Sequence, residues 1–126
     1  MKFTIIHEPT ESRFIIRTTG NFDIDDFFLS LRALLSHPDW VAGSNIIVDH
    51  RATSLDELYV HDLRGVVDKI SVINDLLGYS RCAIVVKLEG FSKAAMYKFI
   101  ADSKLQLTTE IFDSSMYDAA ISWLEN

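Results

Sequence analysis

The chain has 126 residues, of which 48% are hydrophobic, so it is long enough to form one domain with a buried core. Its net charge of −6 at pH 7 argues against a nucleic-acid-binding protein, because such proteins usually present a basic face. The same charge gives no general attraction to anionic lipids, so membrane association is not indicated, although a local basic patch would allow it.

One cysteine, Cys82, is present, which excludes an intrachain disulfide. No charged-then-apolar leader precedes the first predicted strand, and no apolar run approaches the roughly 18 residues of a membrane span. We therefore expect a single cytoplasmic domain over residues 1–126. Because Cys82 begins a predicted buried strand, we expect it to act as a small hydrophobic residue.

The amino-terminal residues predict an antiparallel hairpin. Residues 3–7 and 13–18 are rich in strand-forming residues, and residues 9–12 are typical of a turn. Gly20 closes the hairpin. The first helix begins near Asp23, either Asn21 or Asp23 can serve as its N-cap, and apolar residues at helical spacing continue to Leu35.

The first helix must end before Pro38, because a residue that precedes proline is disfavoured in the helical region. Residues 45–49 follow as a strand, and its continuous apolar centre predicts that both faces are covered. Ser54 and Glu57 fit a capping box, which predicts a second helix from there to about Leu77. Its buried stripe comprises Leu63, Val66, Val67 and Ile70, and Gly78 is a natural stop.

The remaining elements alternate in the same way. A strand over residues 82–86 precedes a helix over 91–101, whose predicted inward residues are Ala95, Met96 and Phe99. A last strand over 105–112 leads to Asp113, which caps a final helix. The inward candidates of that helix are Met116, Ala119, Ala120, Trp123 and Leu124. The order β-β-α-β-α-β-α-β-α predicts an α/β fold with a mixed five-stranded sheet covered by helices.

This order resembles the SpoIIAA-like (STAS-type) family of small bacterial single-domain proteins. The residues that carry the resemblance are the helix end over 34–40, the strand end over 48–51, and the closing segments 111–113 and 119–124. The fold is shared by anti-sigma-factor antagonists, which bind partner proteins and are switched by serine phosphorylation. It is also similar to the Sec14-like lipid carriers, which hold an apolar ligand beneath a mobile helix. The resemblance therefore implies binding, of a protein or of a lipid-like molecule.

The phosphorylation signature of the antagonists is altered here. An aspartate-serine pair begins their helix after the strand that corresponds to residues 45–49, and Glu57 stands near the position of the acceptor serine. Thr53 and Ser54 carry hydroxyl groups nearby that could be phosphorylated instead. The N-terminus of the predicted helix would stabilise the negative charge of such a phosphate. The alternative is that Ser54 only caps the helix.

Polar residues at strand ends are the other binding candidates. Asp49 and Arg51 are two residues apart, so they share one side of the strand while His50 points away. The pair could hold the polar head of a ligand or simply tie the loop, and Lys87, at the end of the next strand, could join it.

The aromatic residues of the helix over 91–101 leave two interpretations. At helical spacing, Phe91 and Phe99 are typical of a core face. With Lys93 and Lys98 beside them, they would also suit a helix that closes an apolar pocket or touches a membrane.

No catalytic or metal-binding motif is recognisable. The sequence lacks a nucleophile elbow, a phosphate-binding glycine loop, a dinucleotide fingerprint and an HExxH motif. His50, His61 and Asp62 match no standard zinc spacing, and His7 and His37 lie elsewhere in the sequence. We therefore expect no enzymatic activity, no cofactor and no metal.

The favoured hypothesis is a non-catalytic regulatory module that docks a protein partner at the corner formed by residues 53–58. The alternative is a carrier or sensor of an apolar or amphiphilic ligand, held between the second and third helices and the sheet. That cavity would be lined by Val67, Ile70, Phe91 and Phe99, with Asp49, Arg51 or Lys87 near its mouth. Exposed strand edges and apolar helix faces also make a homodimer an option.

Overall fold

The computed structural model describes residues 1–126 and contains one mixed five-stranded sheet. The strands lie in the order β1-β2-β3-β4-β5, with β1 and β2 antiparallel and every later pair parallel. Their bounds are β1 (Lys2–Glu8), β2 (Arg13–Asn21), β3 (Asn45–Ser54), β4 (Arg81–Val86) and β5 (Thr108–Asp113). The predicted hairpin and the predicted mixed α/β sheet are confirmed.

Five helices connect and follow the strands. They are α1 (Ile24–Leu35), α2 (Leu63–Ser71), α3 (Asn74–Leu77), α4 (Phe91–Ala101) and α5 (Tyr117–Glu125). Short 3-10 turns precede three of them, at Val60–Asp62, Leu88–Gly90 and Ser114–Met116. None of the helices combines the length and the apolar character that crossing a membrane requires.

The two faces of the sheet bury unequal cores. Phe14, Ile16 and their neighbours on β3 pack with residues of α1, α2 and α4 in a cluster of 22 buried residues. Ile15 and Ile47 point the opposite way and pack against α5 in a cluster of six buried residues. Successive strand residues face opposite sides of a sheet, so the continuous apolar run in β3 serves both cores.

The local signals for α1 and α3 are confirmed. The Asp23 carboxylate accepts a hydrogen bond from the Asp26 amide at 2.9 Å, which satisfies a free donor of the first turn. α3 ends where Gly78 adopts a positive φ of 72°. A Cβ at Gly78 would lie only 2.9 Å from the backbone nitrogen of Gly43. Both the positive φ and this close approach therefore require glycine at position 78.

The predicted start of the second helix is wrong. Ser54 is the last residue of β3, which continues five residues past Asp49 because Asn21 and Gly20 of the long β2 still pair with it. The Ser54 hydroxyl accepts from the Asp56 amide at 3.2 Å, which forms a local turn instead of a helix cap. α2 begins only at Leu63, and its predicted buried stripe is confirmed. The prediction of one continuous helix to about Leu77 is also wrong, because α2 ends at Ser71 and the separate α3 follows from Asn74.

The predicted inward face of α4 is also wrong. Met96 is exposed and Phe99 is 83% exposed, whereas Ala94 and Ala101 are buried. The small alanines allow α4 to lie close to α2 and to the sheet, and Tyr97 and Ile100 complete the packed face of the helix, so Met96 and Phe99 lie on its outer side. In the last helix, Ala120 and Leu124 are buried as predicted, Ala119 and Trp123 are half-buried, and Met116 is exposed before the helix begins.

The last strand is shorter than predicted. β5 begins at Thr108, and Leu105 and Leu107 are buried in the connection before it. Asp113 caps the 3-10 turn Ser114–Met116 instead of the final helix itself, because its carboxylate accepts from the Ser115 amide at 2.8 Å and α5 begins only at Tyr117.

Candidate functional site

The carboxyl-terminal half of β3 sends polar side chains to both faces of the sheet. Asp49 and Arg51 lie on the α5 side, and His50 lies on the side of the larger core. This division follows from the alternation of a strand, as the sequence predicts.

Asp49 is the centre of an ion cluster although only 2% of its surface is exposed. Arg51 donates to its two carboxylate oxygens from Nε and Nη2, both at 2.9 Å, and Arg17 donates from Nε at 3.1 Å. Burial alone would raise the pKa of Asp49, but the hydrogen bonds from Arg51 and Arg17 outweigh it and hold the pKa below its usual value. The guanidinium of Arg51 also lies 3.8 Å from the ring centre of Tyr117.

The geometry of this cluster favours the second interpretation of Asp49 and Arg51, in which the pair fixes the end of β3 and does not bind a ligand. Protein donors already occupy both oxygens of Asp49, so the carboxylate has little capacity left for the head of a ligand. Arg51 joins the end of β3 to α5 by its contact with Tyr117.

A second polar group is buried on the opposite side of β3. Thr18 Oγ1 lies 2.5 Å from His50 Nδ1 and 2.6 Å from Thr53 Oγ1, and all three residues are buried. An irregularity in the pairing of β2 with β3 brings these side chains together. Arg17 pairs with Asp49 and Thr19 with Ala52, so Thr18 alone lies opposite two residues of β3. We call Thr18, His50 and Thr53 the buried polar triad.

The imidazole of the buried polar triad is neutral at pH 7. Burial lowers the pKa of His50 to about 4, and the nearby charge of Asp49 opposes this only in part. Since the only hydrogen bond of the ring is made by Nδ1 to Thr18, Nε2 is left to interact with another group.

His50 is also the one residue outside the hydrophobic class that lines an apolar cavity of about 70 Å³. The other 17 lining residues are hydrophobic; they come from β3 and β4, from the four helices α1 to α4, and from the connecting segments. They include Phe22, Leu55, Leu58, Val66, Ile84 and Ala94. The cavity has the composition of a binding site for an apolar molecule with one polar group.

Two lining residues add titratable groups that stay neutral. Burial raises the pKa of the Cys82 thiol to about 12, so the expectation that Cys82 is a buried, unreactive residue holds. Burial also raises the pKa of Tyr97, which keeps its phenol protonated.

The cavity is covered by the segment between β3 and α2, residues 55–62. Leu55 and Leu58 point into the cavity, while the segment contains only a 3-10 turn at Val60–Asp62 and no α-helix or β-strand. Lys93 of α4 fastens its first residue, because Nζ donates to the Leu55 carbonyl at 2.8 Å. We call residues 55–62 the cover segment.

A separate polar groove of about 260 Å³ lies at the carboxyl ends of β3 and β4. Its polar lining comprises Thr53, Ser54, Asp56, Lys87 and Glu89. Such strand ends are where open parallel sheets commonly bind ligands. The groove holds two carboxylates against one ammonium group.

The sequence-predicted binding residues therefore fall into separate places. Lys87 lines the polar groove with Thr53 and Ser54, and it does not join Asp49 and Arg51 as expected. Phe91 and Phe99 are exposed and line neither space, so their predicted place in the cavity wall is wrong.

Of the other predicted lining residues, Ile70 does line the cavity, whereas Val67 is buried elsewhere in the core. Sequence reasoning missed Thr18. The available signal was a hydroxyl on the same strand face as Phe14 and Ile16, which marks a polar group inside an apolar core.

Comparison with protein-family models, with curated proteins and with solved structures finds no match for this chain. The inference of function therefore rests on the geometry of the cavity and of the groove.

Proposed function

We propose that the protein is a non-catalytic binding module that holds a small apolar or amphiphilic ligand in the cavity beneath the cover segment. The observation that carries this proposal is the cavity itself, a space lined by 17 hydrophobic residues and by His50. Solid cores of this size rarely leave a void larger than a water molecule, so a void with one polar residue in its wall needs an explanation.

The chemistry of His50 narrows the ligand class. Its Nδ1 contacts Thr18, so Nε2 is the group that can hydrogen-bond a ligand. A charged head would lose its hydration in this apolar space at high cost, and a neutral imidazole gives it no counter-charge. We therefore favour a neutral head, such as a hydroxyl or a carbonyl, on an apolar body.

The size of the cavity implies that the ligand displaces part of the protein. Its volume of about 70 Å³ is roughly half of the ~150 Å³ that accommodates benzene in a protein core. The cover segment is the part that can yield, because few backbone hydrogen bonds hold it. Among them are Leu58 to Leu55 at 3.0 Å and Asp62 to Tyr59 at 2.9 Å.

The test is a titration with neutral n-alkanols from butanol to decanol, followed by calorimetry and by the NMR shifts of the His50 imidazole. Each buried methylene contributes about 0.8 kcal/mol, so the affinity should rise about fourfold per carbon until the cover segment can yield no further. The His50 resonances should shift at saturation.

A matched pair of variants locates the binding. Ala94→Leu adds three carbons at a residue of the cavity wall, and Ala95→Leu makes the same change one position along α4, outside the wall. Binding should be lost in the first variant and kept in the second. If both variants, each folded by its melting curve, bind alkanols as well as the unmodified protein does, the cavity is not the site and the proposal is wrong.

Membership in the SpoIIAA-like group is part of this proposal. It is supported by the strand order and by the helix that follows each parallel strand. A cytoplasmic location and a homodimer also stay predictions.

A second candidate function is the docking of a protein partner at the corner beside the polar groove. It is favoured by Tyr59 and Val60, two large apolar residues that are 58% and 49% exposed within the cover segment. A phosphate switch gains little support at this corner. Thr53 is buried, and Ser54 lies beside Asp56 with no helix N-terminus to favour a phosphate.

The two functions can be separated by native mass spectrometry of protein purified from its own host. A bound small molecule at near-stoichiometric amount would support the carrier. A co-purifying protein that is lost with Tyr59→Ser and kept with Tyr79→Ser would support docking, since Tyr79 is also an exposed tyrosine, 80% exposed, and lies outside the corner. Retention of that protein by Tyr59→Ser would contradict docking at this corner.

A further inference from the structure

The segment His37-Pro38-Asp39-Trp40 approaches β1 and brings together three side chains that ligate metals. One donor atom from each of His7, His37 and Asp39 can be chosen so that all three atoms lie within 4.8 Å of one another. His7 lies near the end of β1, and the other two residues lie in the connection between α1 and β3. This end of the sheet is the opposite one to the polar groove.

We infer that His7, His37 and Asp39 form a binding site for a divalent late first-row transition metal, with Zn²⁺ as its representative. Two imidazoles and one carboxylate are a common set of three protein ligands for Zn²⁺, with a fourth position open to water. Imidazole nitrogens select Zn²⁺, Cu²⁺, Ni²⁺ and Co²⁺ over Mg²⁺ and Ca²⁺, which prefer oxygen ligands.

The spacing is close to that of a metal site. His7 Nδ1 lies 3.4 Å from Asp39 Oδ2. Ligands about 2.0–2.1 Å from a tetrahedral Zn²⁺ lie about 3.4 Å from each other, so this pair needs almost no movement. The wider separations within the group, up to 4.8 Å, must close by about 1.4 Å to reach this spacing, which rotation of the exposed Asp39 carboxylate and a small tilt of the His37 ring within its aromatic contacts would supply.

Aromatic packing holds the two imidazoles in place. The His7 ring stacks on Phe14 with centroids 4.2 Å apart, and the His37 ring contacts both of them edge to face at 5.2–5.3 Å. Trp40 anchors the connection, because its ring contacts Phe14 and its Nε1 donates to the Leu76 carbonyl at 3.0 Å. Rings fixed in this way lose little freedom when a metal binds.

One hydrogen bond must be exchanged for the metal. The Asp39 amide donates to His37 Nδ1 at 3.1 Å. A metal on Nδ1 replaces this amide directly, and a metal on Nε2 leaves Nδ1 protonated, so the amide is released in either case. Because Asp39 is exposed, a water molecule can accept the hydrogen bond of its released amide, so the loss of the contact with His37 costs little free energy.

The test measures Zn²⁺ binding by competition with a chromophoric chelator, and Co²⁺ binding by its visible d–d absorption, on protein without a histidine tag. We expect one metal ion per chain. His37→Gln should lower the affinity by more than about a hundredfold, and Asp39→Asn by about tenfold. Zn²⁺ should raise the melting temperature of the unmodified protein much more than that of either variant.

The chain supplies a matched control. His61 Nε2 lies 3.4 Å from Asp62 Oδ1, the same separation as in the His7–Asp39 contact, but that pair has no third ligand. His61→Gln and Asp62→Asn should leave the affinity unchanged. Asp39→Asn keeps the test valid if His37→Gln destabilises the fold, because Asp39 is exposed.

Three results would each overturn the inference. They are the absence of stoichiometric binding at micromolar metal, an affinity that His37→Gln and Asp39→Asn leave unchanged, and a loss of binding with His61→Gln.

Discussion

The buried imidazole of His50 makes the stability of the protein depend on pH in a defined window. Burial lowers the pKa of His50 in the folded protein to about 4, from its ordinary value of 6.5 in the unfolded chain. Between these values the unfolded chain binds a proton that the folded protein excludes, so the free energy of unfolding falls as the pH falls. From pH 7 to pH 5 the loss works out at about 2 kcal/mol, since each pH unit below 6.5 costs about 1.4 kcal/mol.

The assay is urea unfolding at a series of pH values, on the unmodified protein and on His50→Gln. The variant removes the titrating group but keeps a side chain that can hydrogen-bond Thr18. The difference in unfolding free energy between the two proteins should shrink by about 2 kcal/mol from pH 7 to pH 5. Asp49 does not interfere, because its pKa is lowered from 3.8 and its contribution is lost only below this window. A difference that stays constant with pH would refute the reasoning.

Five further substitutions test other parts of the structure by their effect on the free energy of unfolding in urea. Asp49→Asn should cost about 2–3 kcal/mol, because the hydrogen bonds of a charged group with Arg17 and Arg51 are weakened; a cost under 0.5 kcal/mol would contradict the ion cluster. Gly78→Ala should cost more than about 1 kcal/mol, whereas Gly65→Ala, in α2 with nothing within 4 Å of the new Cβ, should stabilise by about 0.5–1 kcal/mol. Phe99→Ser in α4 should cost under about 0.5 kcal/mol, against about 2–5 kcal/mol for Leu63→Ala at a fully buried residue of α2; a cost of Phe99→Ser in the range of Leu63→Ala would contradict the outward position of Phe99.

The parts of the fold that could be predicted from the sequence are those decided by neighbouring residues. The cap at Asp23, the helix end before Pro38 and the stop at Gly78 each depend on the chemistry of a few adjacent positions. The strands β3 and β4 could also be predicted, because short continuous apolar runs rich in β-branched residues are typical of strands that are covered on both faces.

The features that escaped prediction depend on residues far apart in the chain. β3 runs on to Ser54 because β2 remains beside it, and this overrides a local pattern that resembles a helix cap. The contacts of Thr18 with His50 and Thr53 need a register shift that no single segment encodes. The outward position of Phe99 follows from the close approach of α4 to its neighbours, which its hydrophobicity does not reveal.

The candidate binding residues illustrate the same limit. Asp49 and Arg51 share a side as the alternation predicts, but only the structure brings Arg17 to them. His7 and His37 are thirty positions apart in the sequence, and no spacing rule connects them.

That α5 alone covers the second face of the sheet has a consequence for local unfolding of the finished protein. The larger core contains no residue of the segment 117–125, so it can stay packed when α5 detaches. Detachment of α5 would leave Ile15, Ile47, Ala83 and Val85 as a bare apolar strip on a sheet whose other side is still covered. A molecule in this partly open state can self-associate through the strip, and the return of α5 removes the strip from solvent.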